Sequence, residues 1–285
     1  MTQTQRACFY VGKGGVGKTT SAAHTAVAAA TDHDRDVVLL DLAGTQNDLA
    51  TQFGLGDEVA DPDAPISAVF GDDWEFIAEN IPDVVDRMVY DTGEGPDLVP
   101  SDKGLNGADN NLASVPVEER YLKLDAFIDE HLAERYDVVL LDLPGKEDNI
   151  SLNGVFAAEH VVTPLCPGAF ERHQLDSLRD DLAAIRSDLQ DVLDRHDVHP
   201  HLELVIPTMI DGRTKQSEQF VAEITEAFPE IVGDPVAESQ NVGNYQAEGR
   251  TLFAAEEDEL YSTGARAVEA YRQNTALLLD RLTPR

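Results

Sequence analysis

A nine-residue stretch near the N-terminus has the residue types and the spacing that bind a nucleoside triphosphate. It runs GKGGVGKTT from Gly12 to Thr20 and contains the pattern G-x-x-x-x-G-K-[ST]. The glycines let backbone N–H groups converge on phosphate oxygens, and the dipole of the following helix adds positive potential. Lys18 is expected to reach the β- and γ-phosphates, and Thr19 to hold Mg²⁺. The phosphate-binding residues predicted in this way are Gly12, Gly14, Gly15, Val16, Gly17, Lys18, Thr19 and Thr20.

The rest of the chain alternates between strand-like and helix-like segments, which is the arrangement needed to position such a loop. Short apolar runs predict buried parallel strands at 7–11, 37–40, 138–141, 160–163 and 202–206, with a weaker one at 98–100. Helical patterns are predicted at 20–30, 117–133, 170–195, 217–228 and 265–282. We therefore predict an α/β fold, a three-layer P-loop NTPase with a mainly parallel central sheet and helices on both faces. We expect one domain over 1–285, with loops and short helices at 54–97.

The composition is that of a large chain that can bury a sizeable core. The 285 residues are 42% hydrophobic, and no segment approaches the roughly 18 consecutive apolar residues of a membrane span. No N-terminal signal pattern is visible. Because the chain has only Cys8 and Cys166, we expect reduced thiols and a cytoplasmic protein.

The charge of the chain is strongly negative. Fifty-four acidic residues against 21 basic ones give a formal charge of −33, and six residues are lysines. Acid spread along the whole chain, with arginine favoured over lysine, is typical of a protein from a halophile. At molar ionic strength the Debye length is about 3 Å, so this charge repels little and keeps the surface hydrated. The alternative, an acidic protein that binds basic partners, needs a localised patch that the sequence does not show.

Lys13 narrows the class of nucleotide-binding protein. Ordinary loops of this type carry one lysine at the end, whereas here a second lysine stands near the start of KGGVGKTT. This form resembles the ParA/MinD family of P-loop ATPases. The resemblance implies that the cofactors are ATP and Mg²⁺, that ATP controls formation of a homodimer, and that Lys13 acts on the partner's phosphates as a catalytic residue beside Lys18. The alternative is that Lys13 is a solvated loop charge.

Two segments later in the chain fit the same family. The run YDVVLLD, which ends at Asp142, is an apolar strand terminated by an acid, and the resemblance implies that Asp142 orients Mg²⁺, usually through water. The following segment 143–146 occupies the family's second switch position. The resemblance extends over nearly the whole chain, from Arg6 to about Glu256.

The segment 207–214 favours one branch of this family. Its sequence PTMIDGRT closely resembles the chromosome- and plasmid-partition ParA proteins, also called Soj. By that resemblance, Thr208 and Met209 contact adenine, as does the loop at 236–239. Loops at the carboxyl edge of a parallel sheet are also where a bound base is expected on general grounds.

The first switch departs from the family pattern. Family members carry D-x-D-P-Q-G-N there, and the second aspartate positions the water that attacks the γ-phosphate. Here the stretch is DLAGTQN from Asp41 to Asn47, so Ala43 stands at that position. Loss of such a positioning group lowers the rate by about 10²–10⁴. The resemblance places Asp41 near Mg²⁺ as a catalytic residue, and Gln46 and Asp48 are the candidates for positioning water.

Two other departures concern partners. The resemblance implies a ParB-like partner protein and non-specific binding to nucleoid DNA, but Glu238 and Asn241 stand where the family has arginines. Such binding falls steeply with salt, so these residues do not support it. A residual basic face would consist of Arg250, Arg266, Arg272, Arg281 and Arg285, whose alternative role is that of solvated helix charges. The apolar stripe within 265–282 indicates a helix packed on the sheet, so we expect no membrane binding.

Other candidate sites are weaker, and two functional hypotheses remain. His196, His199 and His201 lie across a helix end and a proline-containing loop without a convincing fourth ligand, so a zinc site is not expected there. The first hypothesis is an ATP-dependent, dimerising partition ATPase that segregates DNA or positions another cargo. The second is a hydrolysis-impaired scaffold or regulator of the same fold that acts by partner binding. Ala43 favours the second, and the near-complete ParA-like pattern favours the first.

Overall fold

The computed structural model describes residues 4–12, 14–44, 47–168 and 171–283, apart from the side chains at 118, 171–175, 177, 178, 181 and 257. Seven strands form one sheet. They are β1 (Gln5–Phe9), β2 (Val37–Asp41), β3 (Tyr90–Asp91), β4 (Asp97–Val99), β5 (Val138–Asp142), β6 (His160–Leu165) and β7 (His201–Pro207). Their order is β3-β4-β2-β5-β1-β6-β7, and β3 alone is antiparallel to its neighbour among these strands. The predicted mainly parallel sheet is confirmed.

Helices cover both faces of this sheet, as predicted. They are α1 (Lys18–His33), α2 (Asp48–Gln52), α3 (Trp74–Asn80), α4 (Leu105–Leu112), α5 (Val117–Arg120), α6 (Lys123–Phe127), α7 (Asn149–Ala158), α8 (Glu171–Asp188), α9 (Gln190–His196), α10 (Lys215–Ala227), α11 (Gln240–Ala247) and α12 (Ser262–Arg281). Within the described part of the chain, no helix is long and apolar enough to cross a membrane.

The core is divided by the sheet into two main layers. Successive side chains of a strand point to opposite faces, so Ala7 and Phe9 pack with residues of α1 and α12, while Cys8 and Tyr10 pack with residues of α4, α6 and α7. Strands buried on both faces are apolar at nearly every position. This requirement is why the strands could be predicted from short apolar runs.

The prediction of one continuous helix at 117–133 is wrong. The structure instead has α5, α6 and a π-helical turn at Ile128–Leu132, with a break after Arg120. The side chain of Asn153 bridges this break, because its Nδ2 donates to the Arg120 carbonyl at 3.0 Å and its Oδ1 accepts from the Leu124 N–H at 3.3 Å. A contact from a distant helix therefore satisfies backbone groups that a continuous helix would have paired itself.

Other boundaries also differ from the predictions. The predicted helix at 170–195 is two helices, α8 and α9, separated at Leu189, and residue 170 lies outside the described residues. The first strand is Gln5–Phe9 rather than 7–11, although the Tyr10 N–H still donates to the Val162 carbonyl at 3.0 Å. Helices α2, α4, α7 and α11 and the edge strand β3 were not predicted from the sequence.

Candidate nucleotide site

The glycine-rich loop lies at the carboxyl end of β1 and leads directly into α1. Gly17 precedes the helix with φ 88° and Gly15 has φ 75°, a left-handed conformation that is strained for other residues. A Cβ on Gly17 would also lie 3.8 Å from Cε of Met209. The positive end of the α1 dipole is thus open to an anion.

A cavity of about 600 Å³ lies beside this loop. Six of the predicted phosphate-binding residues line one side, namely Gly14, Gly15, Gly17, Lys18, Thr19 and Thr20. The other side is formed by Ala43, Asp48, the segment 143–146 and Met209. Gly12 and the buried Val16 are not among the lining residues. Lys13 and Gln46 lie outside the described residues, so the predictions made for them are not addressed by this geometry.

Thr19, which lines the cavity, contacts the buried side chain of Asp142. The Thr19 hydroxyl donates to Oδ2 of Asp142 at 2.6 Å. The other carboxylate oxygen, Oδ1, is buried and has no hydrogen-bond partner among the described residues. Burial, together with the neighbouring Asp41, raises the pKa of Asp142 to about 8. An unpartnered, buried carboxylate oxygen beside a threonine hydroxyl is a donor set that suits a hard divalent cation.

Asp41 lies next to Asp142 because the two residues are register partners at the ends of β2 and β5. Its Oδ1 accepts from the Ala43 N–H at 3.0 Å and its Oδ2 from the Ser101 hydroxyl at 3.2 Å. Burial raises the pKa of Asp41 to about 6. Neither Asp41 nor Asp142 is among the residues that line the cavity, so the predicted role of Asp41 near a metal depends on its pairing with Asp142 at the strand ends.

Lys18 brings a positive charge to the same place. Burial lowers the pKa of its ammonium, and the attraction of Asp142 partly opposes that shift. A partly desolvated ammonium at the start of a helix interacts more strongly with phosphate than an exposed one does, because the local dielectric is low.

Thr208 and Met209 have different positions relative to the cavity. Thr208 is buried, and its hydroxyl donates to the carbonyls of Val16 at 2.9 Å and Leu165 at 3.0 Å. Thr208 therefore holds the phosphate loop against the end of β6 without lining the cavity itself. Met209 has φ 54° and lines the cavity with 44% of its surface exposed. Adenine contact stays a prediction for both residues.

Two residues that the sequence analysis did not single out as site residues also support the site. Lys146 lines the cavity, and its Nζ lies 2.8 Å from Asp148, which raises the pKa of Lys146. His24 is buried in α1, where Nδ1 lies 2.7 Å from the Thr20 carbonyl and Nε2 accepts from the Leu252 N–H at 3.1 Å. Burial lowers the pKa of His24 to about 4. A histidine in an alanine-rich helix was the only sequence signal for this contact.

The fold and this site define a P-loop nucleotide-binding protein, and comparisons with known proteins give its family. The sequence profile of a family described as "AAA domain" matches residues 4–195. The sporulation initiation inhibitor protein Soj of Bacillus subtilis is 28% identical over 261 residues, which cover 91% of this chain and 92% of that protein. The chromosome-partitioning ATPase Soj of Thermus thermophilus is 32% identical over 222 residues, covering 77% and 75%. The chain belongs to the ParA/MinD family of P-loop ATPases.

A solved structure gives the same fold with low sequence identity. Cobyrinic acid a,c-diamide synthase from Mycobacterium smegmatis, with bound ATP analog and magnesium, superposes with a TM-score of 0.71 over 97% of this chain and 94% of that one. The two sequences are 22% identical, so this likeness concerns the fold alone.

Proposed function

We propose that this chain is an ATP- and Mg²⁺-dependent partition ATPase of the ParA/Soj type, which acts as a nucleotide-dependent homodimer to segregate DNA or position another cargo. The observation that carries the proposal is the Thr19–Asp142 pair, whose buried Oδ1 has no partner in the described structure, at the end of a complete phosphate loop. The Soj relatives named above support the partition role.

The residues divide the chemistry between them. The backbone of Gly14 to Gly17 and the ammonium of Lys18 would hold the phosphates, while Thr19 and the Asp142 that it contacts would hold Mg²⁺. The metal, when bound, neutralises phosphate charge and fixes the orientation of the β- and γ-oxygens. Asp41 keeps Asp142 in place through the paired ends of β2 and β5.

A second candidate function, a hydrolysis-impaired scaffold that acts by partner binding, is supported by Ala43. This residue lines the cavity where the family has a water-positioning aspartate. Asp48 lines the same cavity and is exposed, so it is our candidate for the residue that takes over this role. Both functions share the ATP-dependent dimer, and a ParB-like partner fits either one.

The dimer is tested by measuring mass in solution with light scattering. With ATP, Mg²⁺ and molar KCl, we expect the mass to double from that of the 31.1 kDa chain. Lys13→Ala should bind ATP but stay monomeric, because Lys13 acts across the interface, whereas Lys18→Ala should lose ATP binding itself. Lys103→Ala removes an equal charge elsewhere and is the matched control. If the protein binds ATP but stays monomeric, the proposed dimer is wrong, and only a nucleotide-binding protein of this fold remains.

The described arginines near the C-terminus do not favour a free basic face. Three of them pair with acids of the same chain: Arg250 with Glu248 at 3.7 Å, Arg272 with Asp32 at 2.9 Å, and Arg281 with Glu203 at 3.6 Å. Arg285 lies outside the described residues.

Asn241 is buried, and its Oδ1 accepts from the Tyr261 N–H at 2.9 Å. Of the two positions where the family has arginines, only Glu238 is therefore exposed.

Binding to DNA is therefore expected to be weak. In molar KCl with ATP, a labelled DNA duplex should show no change in fluorescence anisotropy, because phosphate contacts lose strength steeply with salt. Glu238→Arg should strengthen binding at low salt and steepen the salt dependence by about one unit. Glu238→Gln is the control for removal of the acid alone. Tight binding by the natural protein in molar KCl would contradict this expectation.

A further inference from the structure

A second cavity, of about 690 Å³, lies at the opposite edge of the sheet from the nucleotide site. It is formed where β1, β6 and β7 begin and where α12 ends. Strand β6 starts at His160, which lines this second cavity, and ends at Leu165. The Leu165 carbonyl accepts a hydrogen bond from Thr208 beside the phosphate loop. With about 3.3 Å per residue, that separation is about 17 Å. The two cavities are therefore separate sites.

Three side chains with metal-binding atoms meet in this second cavity. His160 Nδ1 and His201 Nε2 lie 2.9 and 2.8 Å from the same oxygen of Glu203, Oε2. The three ligand atoms lie within 4.8 Å of one another. The two imidazole rings are 4.7 Å apart and nearly perpendicular, at 71°. Within the described residues, this is the one group of three or more histidine, cysteine or acidic side chains with such spacing.

The backbone explains how these residues come together. His160 and His201 are register partners at the starts of the parallel strands β6 and β7. Val161 pairs with Leu202 and Val162 with Leu204, so Glu203 is the extra residue of a β-bulge. Bulges turn a side chain away from its regular direction and are frequent beside functional sites. The bulge places Glu203 against both histidines, which sequence spacing could not indicate.

The surroundings orient the ligands and favour a cation. His201 Nδ1 lies 2.9 Å from the His199 carbonyl; donation there leaves Nε2 to bind a metal, the usual outer-shell arrangement. Arg281 lies 3.6 Å from the other Glu203 oxygen, Oε1, and leaves Oε2 facing the rings. Four more carboxylates line the cavity, those of Asp125, Asp129, Glu159 and Asp197. Arg6 pairs with Asp125 and Asp129, and Arg281 with Glu203, so the described lining still has five carboxylates against two guanidinium groups.

We propose that His160, His201 and Glu203 bind a divalent transition-metal ion of the zinc class, with a fourth position open to the cavity. Two imidazoles and one carboxylate form the donor set that such ions prefer. Donor atoms around tetrahedral zinc are about 3.3 Å apart, so the observed 2.8 and 2.9 Å require a small opening. The site differs from the cluster suggested by sequence, since His199 instead contacts Asp197 at 3.1 Å.

We expect the ion to stabilise the pairing of β6 with β7 at the first residues of both strands. Both strands contribute ligands, and Arg281, at the end of α12, donates to the backbone carbonyl of Glu203. A ligand that binds only the folded state raises its stability. Zinc should therefore raise the melting temperature of the natural protein while leaving ATP binding at the far edge of the sheet unchanged.

The test is calorimetric titration of untagged, chelator-treated full-length protein with ZnCl₂ in KCl and excess MgCl₂, which occupies weak acidic sites and the nucleotide site. We expect one zinc per chain, and affinity at least about tenfold lower in His160→Gln, His201→Gln and Glu203→Gln. His196→Gln, which alters another histidine lining the same cavity, is the matched control and should bind as the natural protein does. Co²⁺ should give visible absorption bands that disappear in the same three variants.

The outcomes separate the proposal from loss of folding. Glu203→Gln keeps an oxygen that can accept hydrogen bonds from both rings but loses the anionic ligand, and each variant is checked for ATP binding and circular dichroism. The proposal is overturned if zinc does not bind stoichiometrically, or if the folded variants bind it as tightly as the natural protein. Equal loss in His196→Gln would likewise overturn the ligand assignment.

Discussion

Replacing Ala43 with aspartate is expected to raise the rate of ATP hydrolysis by about 10²–10⁴. Ala43 lines the nucleotide cavity opposite the phosphate loop. Its N–H donates to Oδ1 of Asp41 at 3.0 Å, which fixes the backbone at this position. A carboxylate added here would lie at the wall of the cavity, where it can accept a proton from the attacking water. The measurement is phosphate release in molar KCl with saturating ATP and Mg²⁺.

Two variants act as controls for this gain. Ala43→Asn has nearly the same shape without the charge, so it should give much less than the aspartate variant. Asp48→Asn tests whether the exposed carboxylate that lines the same cavity supplies the residual activity. If the natural protein already hydrolyses ATP as fast as Ala43→Asp, position 43 does not limit the rate, and the hydrolysis-impaired hypothesis fails.

Replacing Asp142 with asparagine is expected to weaken Mg²⁺-dependent ATP binding while stabilising the nucleotide-free protein. The Asp142 carboxylate, proposed above to orient the metal, is fully buried beside Asp41, with Oδ1 unpaired among the described residues. Asparagine still accepts a hydrogen bond from Thr19 but supplies no negative charge to a cation. We expect the affinity for ATP in the presence of Mg²⁺ to fall by about 10–100-fold, since loss of a partner that orients the metal through water has an effect of this size.

The stability effect has a definite pH dependence. The pKa of Asp142 is about 8 in the folded protein, against 3.8 as its ordinary value. A raised carboxyl pKa means that stability is fully present below the ordinary value and is lost as pH rises towards the folded value. In EDTA without nucleotide, the natural protein should therefore lose stability between about pH 4 and pH 8 through this group.

Comparing the natural protein with Asp142→Asn isolates the stability that is lost through ionisation of Asp142. Asp142→Asn cannot ionise, so its free energy of unfolding at pH 8 should exceed that of the natural protein by about 1–3 kcal/mol, and the difference should shrink towards pH 4. Denaturant unfolding at a series of pH values measures it. A variant that is less stable at pH 8 than the natural protein would show that the attraction between Asp142 and Lys18 outweighs burial.

Local physical requirements made the nucleotide site predictable from sequence. Phosphate binding needs glycines, a lysine and a hydroxyl within a few residues, and the loop from Gly12 to Thr20 meets those needs without any distant contact. Asp142 could be identified for a similar reason, because an acid that ends an apolar strand lies at the carboxyl edge of a parallel sheet. The sheet itself followed from short apolar runs, since strands buried on both faces have few alternatives.

Contacts between distant segments decided what the sequence did not show. Asn153 satisfies the two ends of a helix break at Arg120 and Leu124, and the Thr208 hydroxyl is engaged by the loop at Val16. No local pattern encodes such partners, because each depends on where another element comes to lie.

The histidines show the same difference between what local sequence indicates and what tertiary contacts decide. Sequence proximity grouped His196, His199 and His201, whereas the parallel pairing of β6 with β7 and the bulge at Glu203 bring His160 and Glu203 to His201. The sequence by itself determined the phosphate loop, the acid that faces it and the class of fold, because these depend on residue types at short spacing. Only the tertiary structure decided the second cluster, because strand register joins residues some forty positions apart.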